Sequence, residues 1–480
     1  MSQSTDSSQK HIAILGAGPG GYVAAIRAAQ LGARVTVVEN QVLGGVCLNW
    51  GCIPSKALLS VVDLGEKVKK ASELGLQLDG EVRYDLARMV SRKNKVVENL
   101  VKGIATLFKT WGIEHLEGTG ELLDERTVRV AKRDGTEARV QADAVVLATG
   151  SSWPNLPLFP VDGRQIITSK EALDLTEIPA SLLILGAGVE GCEFASLYGG
   201  IGTKVMMVEM MPRILPLEDE EIAAGMDREL KKRGVAVHTG TTIEKVERAN
   251  GRLRVTLKNA TSLEAERLLV SVGRGFNSKG LGLDRVGIRL GSRGEILVNE
   301  RLETNVPGVF AIGDVVGKAM LAHVASAQGK VAVENALGRP RDIDYHVVPA
   351  GIFTLPEIGR VGLTEQQARE RSQTQGENPD TAVKVGRFRY QGLGKAQAVG
   401  ETTGLFKIIT DSRTSRIVGV HIIGAHAADL IHEAALAMRL GATASQVAEM
   451  IHAHPTLSEG LMEAAEDVEG LAIHLARKRA

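Results

Sequence analysis

Short apolar runs recur along the chain, each closed by glycine and followed by a segment whose apolar positions fall at helical spacing. The first, Ile12 to Leu15, passes through Gly16-Ala17-Gly18-Pro19-Gly20-Gly21 into a helical pattern, a breaking Gly32 and a second apolar run that ends at Glu39. The same order returns 170 residues later: His11 to Glu39 aligns without a gap on Ser181 to Glu209, and 11 of the 29 positions are identical. Gly16, Gly18, Gly21 and Gly32 fall on Gly186, Gly188, Gly191 and Gly202. A strand, glycine turn, helix and strand written twice predict two doubly wound, Rossmann-like α/β domains.

The stretch 55–111 is polar with helical period, and leads to a strand-rich piece closing with the apolar run 144–148 and Thr149-Gly150. LLVSVG supplies a third apolar strand before Gly273-Arg274-Gly275, and VFAIGDVVG another strand and turn before a helix expected over 321–337. Beyond Tyr345 the pattern changes. GLFKIIT and RIVGVHIIG read as hairpin strands, AADLIHEAALAMRL and ASQVAEMI as amphipathic helices. The expected division is a first dinucleotide domain over 1–150, a second over 151–279, a central segment 280–345 completing the first, and a C-terminal α+β domain over 346–480.

Composition narrows the function. With 480 residues, 57 Lys plus Arg and 57 Asp plus Glu, the formal charge is zero, so no field attracts polyanions and nucleic acid is not an expected partner. No apolar stretch stands out at the ~18 residues a membrane span needs. The opening MSQSTDSSQK has neither the apolar core of a secretory signal nor the arginines of a transit peptide, so a cytoplasmic address is expected. Three cysteines cannot staple a chain of this length, and a closely spaced pair in a reducing compartment points to catalysis or metal.

In both glycine turns the first glycine permits the tight turn, the second lets a pyrophosphate approach the backbone, and the third allows close helix packing. Glu39 and Glu209 stand where a carboxylate meets ribose hydroxyls. Glu209 would repel a 2′-phosphate, so the second site is expected to take NAD rather than NADP; Arg213, four residues on, reads as a surface charge.

Cys47 and Cys52 stand in GGVCLNWGCIPSK. A regular helix would separate them by about 7.5 Å of rise, beyond the roughly 4.4–6.8 Å Cα spacing of a disulfide, so bridging demands a local distortion that Gly44, Gly45 and Gly51 can supply. Pro54 marks a helix start, which places the second thiol at a positive helix end. Two inert buried cysteines or half a zinc site are the competing readings. Zinc is disfavoured because Cys192 alone remains, inside the second nucleotide unit, and no metal is expected. In HAHPTLSE, His454 with a nearby carboxylate would make a proton-transfer unit, against a surface histidine or a two-histidine metal site. His432-Glu433 begins like a zinc-protease motif, but Leu436 takes the place of its second histidine.

Together GGVCLNWGCIPSK, TNVPGVFAIGD and HAHPTLSE closely resemble the pyridine nucleotide-disulfide oxidoreductases of the dihydrolipoyl dehydrogenase kind, from about His11 to the C-terminal helix. The resemblance implies FAD along Gly16, Gly18, Gly21 and Glu39, with Lys56 near the flavin ring. Gly120 and the Ala148-Thr149-Gly150 turn would lie beside it, Asp314 on the ribityl chain, and Ala322 would complete the site. It implies NAD on Gly186, Gly188, Gly191 and Glu209, reaching Gly273 and Arg274, and Glu193 paired with Lys56. Cys47 would be the interchange thiol and Cys52 the flavin-facing one. His454, oriented by Glu459, would come from the other subunit of an obligate homodimer joined through 346–480. The implied reaction is oxidation of dihydrolipoamide, on the lipoyl-bearing domain of a 2-oxoacid dehydrogenase acyltransferase or a glycine-cleavage carrier, with reduction of NAD⁺.

Two positions depart from the pattern. Trp50 stands where a small aliphatic is expected, adding bulk between the cysteines, and Glu190 puts a carboxylate beside the NAD glycines, repulsive unless it points to solvent. Among alternatives, Glu209 and Gly191 disfavour a glutathione reductase type using NADPH. A C-terminus LAIHLARKRA without a cysteine pair disfavours a mercuric reductase type. A non-catalytic scaffold subunit predicts a missing reacting group, and none is missing.

Overall fold

The computed structural model describes residues 9–249 and 251–476. The first eight residues of the polar N-terminal tract and the last four of LAIHLARKRA lie outside the described residues. The chain forms two compact units: one holds residues up to Ala57, Ala87–Asn155 and Gly273–Asp344, the other Leu58–Leu86, Leu156–Val272 and the chain from Tyr345.

In the first unit a seven-stranded sheet places His11–Leu15 between Arg34–Glu39 and Ala144–Leu147, with Val309–Ala311 outside the latter. These pairings and that of Arg34–Glu39 with Glu114–Leu122 are parallel; Thr127–Lys132 and Glu137–Gln141 then extend the sheet antiparallel. The unbroken apolar runs follow from burial on both faces. Ile12, Ile14, Val35, Val37 and Val146 join a core with Ala24 and Ala28 of the Pro19–Gln30 helix, while Ala13, Leu15, Val38, Val145 and Leu147 join a second core with Leu122 and Val128. The Ala322–Ala336 helix approaches the turn so closely that a Cβ at Gly329 would sit 2.6 Å from the Gly20 carbonyl oxygen.

The second unit contains the repeat as a five-stranded parallel sheet in the order Ala236–His238, Lys204–Val208, Ser181–Leu185, Arg267–Val270, Ile166–Ile167. An antiparallel meander, Ile243–Ala249, Arg252–Leu257 and Ser262–Ala265, was not separately anticipated. Past Tyr345 an antiparallel five-stranded sheet includes the expected hairpin Leu405–Asp411 and Ile417–Gly424 and carries helices Ala427–Arg439 and Glu459–Asp467. The ASQVAEMI helix is shorter than its pattern suggests, Ala444–Ala448.

One helical stretch, Gly45–Lys69, is apolar enough by length and composition to resemble a membrane span, which the sequence reading did not single out. It is broken at Gly51, and Pro54, Leu58, Leu59 and Val62 are buried in the protein.

A buried ionic cluster lies in the second unit. Lys407, in the Leu405–Asp411 strand, pairs with Asp219 at 2.8 Å, Glu365 at 2.9 Å and Glu221 at 3.4 Å, and its side chain is only 4% exposed. Asp219 also caps the Glu220–Lys232 helix. Burial disfavours the Asp219 carboxylate, but Lys407 outweighs it and holds the group below its usual range. Lys407→Met strands the buried Asp219 carboxylate, whereas Arg387 still pairs with Glu221 and Glu365, and is expected to lower unfolding stability by about 3–5 kcal/mol in denaturant titration. The contribution of Asp219 is present above its unfolded value and fades as pH drops through the depressed folded one.

Candidate active site

In the first unit the glycine turn has the geometry its sequence requires. Gly16 has φ +101°, and a Cβ there would lie 2.3 Å from the Ala148 carbonyl oxygen. At Gly21 it would lie 1.9 Å from the Gly16 oxygen, whereas at Gly18 the nearest atom is Gly45 Cα, 3.8 Å away. The backbone is thus closed against the sheet and open at the helix N-terminus, the cradle that a pyrophosphate fits and a side chain would fill. Glu39 accepts from the Ala17 N–H at 2.8 Å and the Gln41 N–H at 2.7 Å, which aims the carboxylate at the turn. Each oxygen retains a lone pair for a ribose hydroxyl.

Around this turn, Asn277 cross-links Thr149 and Gly150, donating to Thr149 O at 2.9 Å while the Thr149 hydroxyl donates to Asn277 O at 2.8 Å. Asp314 accepts from the Ser151 hydroxyl at 2.5 Å. Arg274, expected along NAD, donates to Ser151 Oγ at 2.8 Å and Ser151 O at 2.9 Å and stacks over Trp153 at 4.7 Å. Ser151 thereby joins Arg274 to Asp314, a link no local spacing reveals. Gly120 lies in the Glu114–Leu122 strand where a Cβ would come within 3.0 Å of Leu15. Ala322 opens its helix.

The second unit repeats the turn. A Cβ at Gly186 would lie 2.1 Å from Ser271 O and one at Gly191 2.0 Å from Gly186 O, while at Gly188 nothing lies within 4 Å; Gly273, in the first unit, has φ +103° and likewise nothing within 4 Å. Glu209 accepts from Ala187 N–H at 2.7 Å and Met211 N–H at 2.8 Å, and Arg213 turns to the Pro216 carbonyl at 3.1 Å. Glu193 is buried and accepts from the Phe353 N–H at 3.0 Å. Glu190 does not simply point to solvent: it accepts from the Ser271 hydroxyl at 3.0 Å. Exchanging the Glu209 carboxylate for a cation is expected to lower kcat/KM for NAD⁺ by about 10- to 100-fold and shift preference toward NADP⁺. Steady-state kinetics of Glu209→Arg check this, and an unchanged cofactor ratio contradicts it.

The cysteine segment breaks where the spacing argument requires. Helix Gly45–Trp50 stops at Gly51, with φ −141° and ψ −111°, and a new helix, Cys52–Lys69, begins. A Cβ at Gly51 would press on Val46 O at 3.1 Å and Cys47 Cα at 3.3 Å; one at Gly45, φ +60°, would meet Gly18 Cα at 2.6 Å. The break brings the two thiols into hydrogen-bond contact in their dithiol form. That bond and burial push the Cys47 thiol well above its usual range, against the attraction of Lys56. Cys52, in the first turn of its helix, sits at a helix end that favours negative charge. Cys192 is buried, with its thiol held protonated by desolvation, as suits a core residue.

In the C-terminal region, His454 Nδ1 lies 2.8 Å from Glu459 Oε1, and Glu459 Oε2 accepts from Thr456 N–H at 2.7 Å. Burial opposes ionisation of Glu459, but Thr456 and His454 prevail and keep it below the ordinary carboxylate range. The His454 ring is 74% exposed, so an imidazole with an oriented Nδ1 presents its other nitrogen outward. His452, by contrast, engages both nitrogens, with Glu433 at 2.8 Å and Met450 O at 2.9 Å. Leu436, Leu440 and Ile451 leave large apolar side chains exposed in the same region.

Comparison with known proteins follows the same division. Residues 10–329 match the family described as pyridine nucleotide-disulphide oxidoreductase, and residues 348–465 its dimerisation domain. The chain is 41% identical to dihydrolipoyl dehydrogenase of Bacillus subtilis, covering 96% of this chain and 98% of that one. It is 39% identical to mitochondrial dihydrolipoyl dehydrogenase of Pisum sativum, covering 98% and 93%. The crystal structure of LpdA from Mycobacterium tuberculosis superposes with a TM-score of 0.88 at 29% identity, over 96% of this chain and 99% of that one. Paired thiols at a helix break, two open glycine cradles and a dimerisation domain therefore have one common explanation: this chain belongs to the pyridine nucleotide-disulphide oxidoreductases, homodimeric enzymes working with FAD and NAD.

Proposed function

We propose that the enzyme oxidises a dihydrolipoyl group carried on a protein partner and reduces NAD⁺, through a reversible Cys47–Cys52 disulfide. The observation that carries this reading is the contact of the two thiols across the Gly51 break, next to the first glycine cradle. Residues 1–150 with 280–345 serve as the FAD domain, 151–279 as the NAD domain and 346–480 as the subunit interface. Gly16, Gly18, Gly21, Glu39 and Asp314 would hold FAD, and Gly186, Gly188, Gly191 and Glu209 would hold NAD.

Catalysis begins with a proton. His454 of the partner subunit, its tautomer set by Glu459, takes the proton of one substrate thiol. The thiolate attacks Cys47 Sγ, the Cys47–Cys52 bond breaks, and Cys52 leaves as a thiolate that its helix terminus stabilises. The second substrate thiol then attacks the substrate sulfur of the mixed disulfide. Its proton passes by way of His454, so that Cys47 is released as a thiol and the imidazole stays protonated; the substrate leaves as a cyclic disulfide, and the two electrons it has lost reside on the Cys47 thiol and the Cys52 thiolate. Bound FAD supplies the two-electron acceptor that restores the disulfide and a hydride donor for NAD⁺. Lys56, one turn from Cys52, favours the anionic states electrostatically.

The purified holoenzyme is to be assayed with dihydrolipoamide and NAD⁺ beside glutathione disulfide and NADPH. Turnover of the first pair is expected; turnover of the second pair alone would assign a glutathione reductase type instead.

A further inference from the structure

The internal repeat shows where the two glycine cradles differ. Gly20 of the first corresponds to Glu190 of the second, at the second position of the Val189–Gly200 helix. The neighbouring strand end changes in step. Ala148 and Ser271 occupy equivalent places, each with its carbonyl oxygen packed where a Cβ of the first glycine of its turn would lie. Where the first copy has a glycine and an alanine, the second has a carboxylate accepting from a hydroxyl at 3.0 Å, and Ser271 is buried.

That hydrogen bond gives the carboxylate a side. Ser181–Leu185 lies between Lys204–Val208 and Arg267–Val270 in the sheet. Glu209, just past the Lys204–Val208 strand, marks the adenosine half of a dinucleotide lying across the strand ends. Ser271 follows the opposite neighbour, Arg267–Val270, so Glu190 is tied to the nicotinamide half.

We propose that Glu190, positioned by Ser271, is a specificity-determining residue that sets the oxidation-state preference of this site, favouring the cationic ring of NAD⁺ over the neutral ring of NADH. The inference rests on the reading that this cradle binds NAD. A fixed carboxylate repels the pyrophosphate of both forms alike, so that term cancels between them. Its attraction to the ring charge exists in NAD⁺ alone and does not cancel. The product is thereby held less tightly than the substrate.

The test is a set of dissociation constants on the oxidised holoenzyme, read by calorimetry. NAD⁺ supplies the cationic ring, tetrahydro-NAD a neutral ring that cannot reduce the flavin, and ADP-ribose no ring. In Glu190→Gln, tetrahydro-NAD and ADP-ribose are expected to tighten by a common factor while NAD⁺ does not, so the ratio of the neutral-ring to the NAD⁺ constant falls at least about 3-fold. Ser271→Ala, which keeps the charge and removes its anchor, should move the ratio the same way by a smaller factor, and decides the matter should Glu190→Gln fail to retain flavin. A common factor for all three ligands, or no change, overturns the proposal. If the unaltered holoenzyme bound none of the three, the NAD assignment itself would fall.

Discussion

Cys47→Ser is expected to yield a yellow protein with its full complement of flavin that no longer oxidises dihydrolipoamide. Serine preserves the size and hydrogen-bonding capacity of the side chain that meets Cys52 across the Gly51 break, so the helix junction and the adjacent glycine cradle should persist. Oxygen cannot take sulfur's place in disulfide exchange, and the substrate thiolate then has no electrophilic sulfur to attack. The loss in kcat should be at least ~10³-fold, the scale for removing a reacting nucleophile. Anaerobic turnover measured beside the flavin spectrum separates this outcome from simple unfolding. Substantial remaining activity with bound flavin would refute the exchange step.

His454→Gln is expected to reduce kcat/KM by about 10²- to 10⁴-fold, the range for loss of a positioned general base. Glutamine can still approach Glu459 but accepts no proton. The pH dependence makes the role specific. A general base must hold its acceptor nitrogen free for the substrate proton, and Glu459, held below the ordinary carboxylate range, stays charged beside it. In the variant the substrate must ionise unaided, and the residual rate should climb with pH as the thiolate fraction grows. A merely structural role would lower activity without that change in slope, and near-normal activity would point to another proton acceptor.

How much of this was legible in the sequence depended on the range of the interaction. The glycine turns were readable because their constraint is steric and local: Gly16 and Gly186 need a positive φ, and a Cβ there would strike the next strand. That the helix must break between Cys47 and Cys52 if the two are to bridge followed from rise per residue against disulfide spacing, and Gly51, one of three glycines offered for it, stands at the break. His454 and Glu459 were different, since a spacing of five residues leaves a proton-transfer unit, a surface histidine and a metal site all open until the turn holding Thr456 forms, and the resemblance decided among them. Long-range polar contacts were not legible. Lys407 meets Asp219 from 188 residues away, and Ser151 joins Asp314 across 163 and Arg274 across 123. Glu190 was read as a repulsive oddity, because the hydroxyl that anchors it lies 81 residues downstream.

The most direct measurement is an anaerobic reductive titration of the purified holoenzyme against flavin content. A disulfide working in series with the flavin requires two electron pairs per flavin for full reduction in the unaltered protein, and a single pair in Cys47→Ser. Uptake of only one pair by the unaltered protein would contradict the account.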